Sequence, residues 1–157
     1  MPVTPRLIST AITAALALPV GAEILRPGWE STETALSYTE LVTRVKDAAR
    51  AEGMGVVTEA GPTEAARARG IDIPGNRVIG IFNNDFAVRI LTLSTAAMIE
   101  APVRMYVTET PDGALLSYKT PSSVFAPYAD EGGPELEEAA GELDAIFARI
   151  AARAIGD

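Results

Sequence analysis

The sequence predicts an α+β domain, with an antiparallel-rich sheet, helices packed on one face of it and a long C-terminal helix. Three observations carry this reading. Short β-like apolar runs alternate with segments of helical period, Pro111-Asp112-Gly113 joins two β-like runs as a hairpin, and residues 134–155 keep one amphipathic helical period. The chain has 157 residues, 48% of them hydrophobic and 22% charged, which describes one folded domain with a real core rather than a disordered chain.

Residues 1–22, MPVTPRLISTAITAALALPVGA, read as a signal peptide. Arg6 and the amino terminus give a basic start, and Leu7 to Val20 is apolar but shorter than the roughly 20 residues a spanning helix needs. Val20-Gly21-Ala22 supplies the small residues of a cleavage site. Cutting after Ala22 removes one charged residue, Arg6, and takes the net charge from −8 to −9. The expectation is a periplasmic or secreted protein with no stable membrane insertion after processing. A chain without cysteine suits that oxidising space.

Residues 23–36 form a lead-in punctuated by Pro27-Gly28, followed by a Thr-rich stretch from Trp29 that fits an edge strand. Residues 37–157 form the single α+β domain. Ser37 and Glu40 make the S-x-x-E capping box of a first helix, whose face is Leu41, Val42, Val45, Ala48 and Ala49 and whose end is Gly53. Met54 to Thr58 fits a short strand. Thr63 to Arg69 fits one or two helical turns closed by Gly70, Pro74-Gly75-Asn76 fits a turn, and Arg77 to Phe82 fits a strand.

The next stretch, GIFNNDFAVRIL, poses a choice between a site and a boundary. Phe86, Ile90 and Leu93 recur at helical spacing, so Asn83 falls at an N-cap and Asp85 in the first turn, where the helix dipole favours negative charge. Capping accounts for these polar residues, and a cleft at this corner would make Asn83 a ligand contact as well.

Glu100 to Thr110 reads as the longest strand, and Ala114 to Thr120 as its hairpin partner. A three-residue loop would pair Thr110 with Ala114 and set Tyr106 opposite Tyr118. A two-residue loop instead groups Tyr118 with Val103, Met105 and Val107, separates apolar from polar faces better, and is preferred. Pro121 to Gly133 reads as a loop with an apolar patch at Val124-Phe125. Pro134 then opens the last helix, with Leu136, Ala139, Ala140, Leu143, Ile146, Phe147, Ile150 and Ala154 on its apolar face. Glu135, Glu137 and Glu138 at its start and Arg149 and Arg153 near its end match the dipole.

Composition excludes several chemistries. Histidine and cysteine are both absent, which removes Ser-His-Asp triads, thiolate nucleophiles, facial iron triads and Cys-type zinc sites. A net charge of −8 without a basic stripe makes nucleic acid a poor partner. The acidic residues from Glu135 to Asp144 lie on a helix without a calcium-loop pattern, and Asp130-Glu131 beside Gly132-Gly133 reads as a loop. No metal ligand, cofactor site or catalytic residue is assigned. In the preferred register Arg104, Tyr106 and Lys119 share the less apolar face of the hairpin, where a cation and an aromatic on a rigid strand suit an anionic or planar ligand. The alternative is an exposed sheet face or a dimer contact. The candidate ligand-binding residues are Asn83, Arg104, Tyr106, Tyr118 and Lys119.

Four features together resemble the small bacterial family called domain of unknown function 302, over most of residues 35–155. They are Asn83 between a strand and a helix, Ala101-Pro102-Val103-Arg104 opening a strand, Val107-Thr108-Glu109 leading to the Asp112-Gly113 turn, and Tyr118 three residues before Pro121. The resemblance implies an α+β fold with an antiparallel sheet, a homodimer and no established activity. Where the family usually has Asn-Pro, this chain has Asn83-Asn84, a mild change because proline suits the first helical position. The functional expectation is an exported domain that binds a small molecule or a partner protein without catalysis. The alternatives are an enzyme using carboxylate or tyrosine acid–base chemistry, and a subunit of an assembly.

Overall fold

The computed structural model describes residues 26–156, so the leader expected over residues 1–22 lies outside the described residues. The described residues open with Arg26 to Trp29, a turn closed by the Trp29 amide on the Arg26 carbonyl at 3.0 Å with Gly28 at φ +75°. It leads into β1 (Trp29–Thr34), α1 (Tyr38–Ala51), β2 (Gly55–Ala60), α2 (Thr63–Arg67) and β3 (Asn76–Phe82). Then follow α3 (Asn84–Leu93), a 3-10 turn (Ala96–Glu100), the hairpin of β4 (Val103–Thr110) and β5 (Gly113–Lys119), α4 (Pro121–Phe125), a second 3-10 turn (Ala126–Tyr128) and α5 (Ala129–Ile155).

The five strands form one antiparallel sheet in the order β1-β5-β4-β3-β2, so the Thr-rich first strand is an edge strand as its composition predicts. Thr110 pairs with Gly113 and Met105 with Tyr118, which is the two-residue hairpin loop preferred on burial grounds. Alternation then sorts the side chains. Ile79 and Ile81 of β3, Met105 and Val107 of β4, and Leu116 of β5 all turn inward and are almost wholly enclosed. They meet Leu41 and Val45 of α1 and Leu136, Phe147 and Ile150 of α5, also enclosed. The helices thus cover one face, the two-layer α+β arrangement the sequence implies.

Local signals explain most helix ends. The Ser37 hydroxyl accepts the Glu40 amide at 3.3 Å, half of the capping box, while the Glu40 carboxylate turns to Arg44 at 2.9 Å instead. Gly70, at φ +73°, lets the Gly70 and Ile71 amides close back on the carbonyls of Arg67 and Ala66.

Two expectations are corrected. The stretch from Pro121 to Gly133 is helical rather than a loop. Thr120 caps it by accepting the Ser123 amide at 3.3 Å, Pro121 occupies its first turn, and Phe125 is buried in the core, so the patch read as a loop decoration is an anchor. Helix α5 accordingly starts at Ala129, but Gly133 (φ 60°, ψ −162°) breaks it, and Pro134 restarts it where the sequence places the last helix. The strand read from Glu100 begins instead at Val103. The Ser94 hydroxyl accepts the Ala97 amide at 3.1 Å and starts the 3-10 turn that Glu100 ends, ahead of a cis Ala101-Pro102 bond.

At the far end of the helical layer Glu52, the residue after α1, accepts from Arg149 Nε at 2.7 Å and Arg153 Nη2 at 3.0 Å on α5. The two arginine hydrogen bonds hold its carboxyl below the usual carboxylate range. A depressed folded-state pKa stabilises the fold fully above the unfolded value of about 4.3 and loses that stabilisation as pH falls through the folded value. Glu52→Gln should therefore melt below the unmodified protein at pH 7, and the two melting curves should converge as the solution is taken below pH ~4. A gap that stayed constant from neutrality into strong acid would contradict this role.

Candidate functional site

The face of the sheet turned away from α1 and α5 carries the alternate residues of each strand. Since Met105 opposes Tyr118, the adjacent Arg104 and Lys119 come side by side on that outer face. Trp29 pairs with Lys119 on the other flank, and Arg104 pairs with Gly80. Tyr106 and Val78, which oppose each other, fill the next row, with Ala60 beyond. Glycine at position 80 is required by crowding, because a Cβ there would meet the Thr58 hydroxyl and, at 2.7 Å, the Pro102 ring.

These residues line a groove of about 660 Å³. Val124 of α4 closes one side and Gly61 and Pro62, ahead of α2, the other. The walls are mainly apolar and the charges collect at one end. The Arg26 guanidinium stands 5.5 Å from the centre of the Trp29 ring and the Lys119 ammonium 5.9 Å, both within cation–π reach. Arg104, 60% exposed, has Nη2 3.9 Å from the Glu100 carboxylate. The other oxygen of Glu100 accepts the Tyr128 hydroxyl at 2.8 Å, and this hydrogen bond, with burial second, raises the Tyr128 pKa. Two cations, Arg104 and Lys119, and one carboxylate therefore share this end, and Arg26 stands over the Trp29 ring.

Of the five candidate residues, Arg104, Tyr106 and Lys119 are brought together on the outer face. Tyr118 borders the groove, but its ring points to the core, 7% exposed and tilted against Phe147 at a centroid distance of 5.7 Å. Burial, then the charges of Glu30 and Asp144, raises its pKa. Asn83 lies apart. Its Oδ1 accepts the amides of Asp85 at 2.9 Å and Phe86 at 3.2 Å, and its Nδ2 donates to the Gly53 carbonyl at 3.1 Å. All its polar atoms serve the cap and the β2 junction. Asn83→Ala should cost about 1 kcal/mol in urea unfolding, within the usual range for a lost N-cap. Asn83→Asp should recover most of it because the acceptor remains, and an aspartate as damaging as alanine would refute the capping account.

The sequence reading missed Trp29, Glu100 and Val124 as groove residues. Trp29 had a signal, since it is the single tryptophan and sits on an edge strand. Val124 was read as part of an apolar loop patch, and Glu100 gave no signal because its place depends on the 3-10 turn ahead of β4. Among the described residues no group of three or more acidic side chains is placed to hold a metal ion, and no helix is long and apolar enough to cross a membrane.

Comparison with known families agrees with this fold. The model of the family described as Domain of unknown function DUF302 matches residues 30–154. The chain belongs to that family. A crystal structure of an uncharacterized conserved protein DUF302 from Bacillus stearothermophilus is similar, with a TM-score of 0.72 and 18% identity over 82% of this chain and 99% of that one. At that identity the likeness speaks for the fold. No curated protein matches the chain.

Proposed function

We propose that this protein is an exported, non-enzymatic binding domain whose ligand site is the groove on the outer face of the sheet. The observation that carries the reading is the meeting of Arg104 and Lys119 beside Trp29 in a mainly apolar groove, in a chain of net charge −8. Cations placed on rigid strands beside aromatic and apolar walls supply orientation and buried area together, which is how small-molecule sites are built. Export is supported by the basic start, short apolar run and small-residue cleavage site of residues 1–22.

Acid–base catalysis finds less support in the titrating groups. Glu52 is shifted downward, opposite to what a carboxylic acid catalyst requires, and Tyr118 and Tyr128 are shifted upward, away from service as a phenolate base.

A native mass spectrum of the full chain, expressed with its own leader, tests the proposal. The expected product begins at Glu23 and carries extra bound mass, and the same spectrum counts the copies in any homodimer. An uncut chain would overturn export. A ligand-free product that also shows no binding in small-molecule screens would overturn the groove as a ligand site and direct attention to a partner protein.

A further inference from the structure

Resting on the reading of the groove as a ligand site, we infer its ligand class: an anionic amphiphile, meaning a single acidic headgroup carried on an apolar body. The groove is divided along its length. Lys119 and Arg104 stand in one row beside Trp29, and Val78 and Ala60 line the next with Tyr106, with Asn76 beyond them. A wholly apolar ligand filling this space would strip water from the cations without replacing it, which costs free energy. A small inorganic anion would leave the apolar length wet and would rely on exposed ion pairs, which contribute little. A ligand with both parts satisfies both ends.

The headgroup is a single one. Glu100 projects into the same end and the chain as a whole is strongly acidic, so a polyanion is repelled while one carboxylate is attracted. Glu100 is the one carboxylate among the described residues lining the groove, so a second copy presenting the same groove would bring the cations no other. Tyr128 occupies one Glu100 oxygen at 2.8 Å and the other lies 3.9 Å from Arg104 Nη2, so the carboxylate only partly offsets the guanidinium.

Trp29 is the only tryptophan, so its fluorescence reports on the groove wall alone. The experiment titrates the exported full chain at pH 7.5 with octanoate, 1-octanol and acetate. Octanoate should give a saturable change with a dissociation constant at least about tenfold below that of 1-octanol, the increment expected of a charge-assisted contact, and acetate should give none over the same range. Arg104→Gln, at a position 60% exposed, should erase the preference for octanoate over 1-octanol. Equal affinities for octanoate and 1-octanol would overturn the anionic headgroup yet leave the groove as a ligand site. A silent Trp29 with every probe would overturn the amphiphile class, while bound mass of another kind in the native spectrum would keep the binding reading. A Trp29 signal that changes on dilution without any probe would show a second copy covering this face, and would also overturn the inference.

Discussion

Phe147→Ala is expected to lower the free energy of unfolding by about 3–5 kcal/mol, the range for deleting a buried aromatic ring. Phe147 is fully enclosed on α5 and is one of the side chains through which that helix meets the sheet, tilted against Tyr118 at 5.7 Å. Such aromatic pairs add about 0.5–1.5 kcal/mol beyond their buried area. Where the loss falls within that range is set by how far the surrounding side chains close on the vacated space, since the cost rises with the residual cavity. The check is the urea midpoint at unchanged slope. A loss below about 1.5 kcal/mol would mean that the helices shift to fill the space and that the interior is looser than described.

Gly113→Ala is expected to cost about 1–3 kcal/mol through backbone strain, with an outcome localised differently. Gly113 begins β5 at φ +153°, and a Cβ there would meet the Thr34 carbonyl oxygen and stand 2.9 Å from the Ala35 Cα. Backbone meets backbone, so no side-chain rotation relieves the contact. The end of β1 must move away from β5, which breaks the pairing of Thr34 with Ala114 first. Hydrogen exchange should therefore show β1 amides losing protection ahead of β3 and β4. In Phe147→Ala, protection should fall across the whole sheet. If β1 kept its full protection in Gly113→Ala, the close approach at this corner would not be a constraint on the fold.

These two sites mark what was legible in the sequence and what was not. The core face of α5 could be read from periodicity, because a helix that buries one stripe must repeat it, and Phe147 falls on that stripe. The hairpin register followed from the alternation of Val103, Met105 and Val107 against Leu116 and Tyr118, since a shift of one residue would expose them all. The Asn83 cap was legible for the same local reason. The Pro121 helix carried its own cap and proline, and its start could have been read as the Pro134 start was. The groove is another matter. Trp29 reaches Lys119 only because the first strand joins the far edge of the hairpin, and Glu100 reaches Tyr128 only because two 3-10 turns meet there. Pairings between distant segments leave no period in a sequence, so the candidate site was visible as two cations and an aromatic on one strand face and not as a cavity.

The order of the strands also sets a timetable. β2 with β3, β3 with β4 and β4 with β5 each join strands that follow one another along the chain, and each closes a modest loop. The pairing of β1 with β5 spans everything between them, so its closure entropy is the greatest and its reward comes only after the hairpin exists. The earliest strand of the sheet to be made is thus the last to find its place. Because that strand contributes Trp29, the groove has no second wall until the sheet is complete, and an incompletely folded chain has no finished site to offer a ligand.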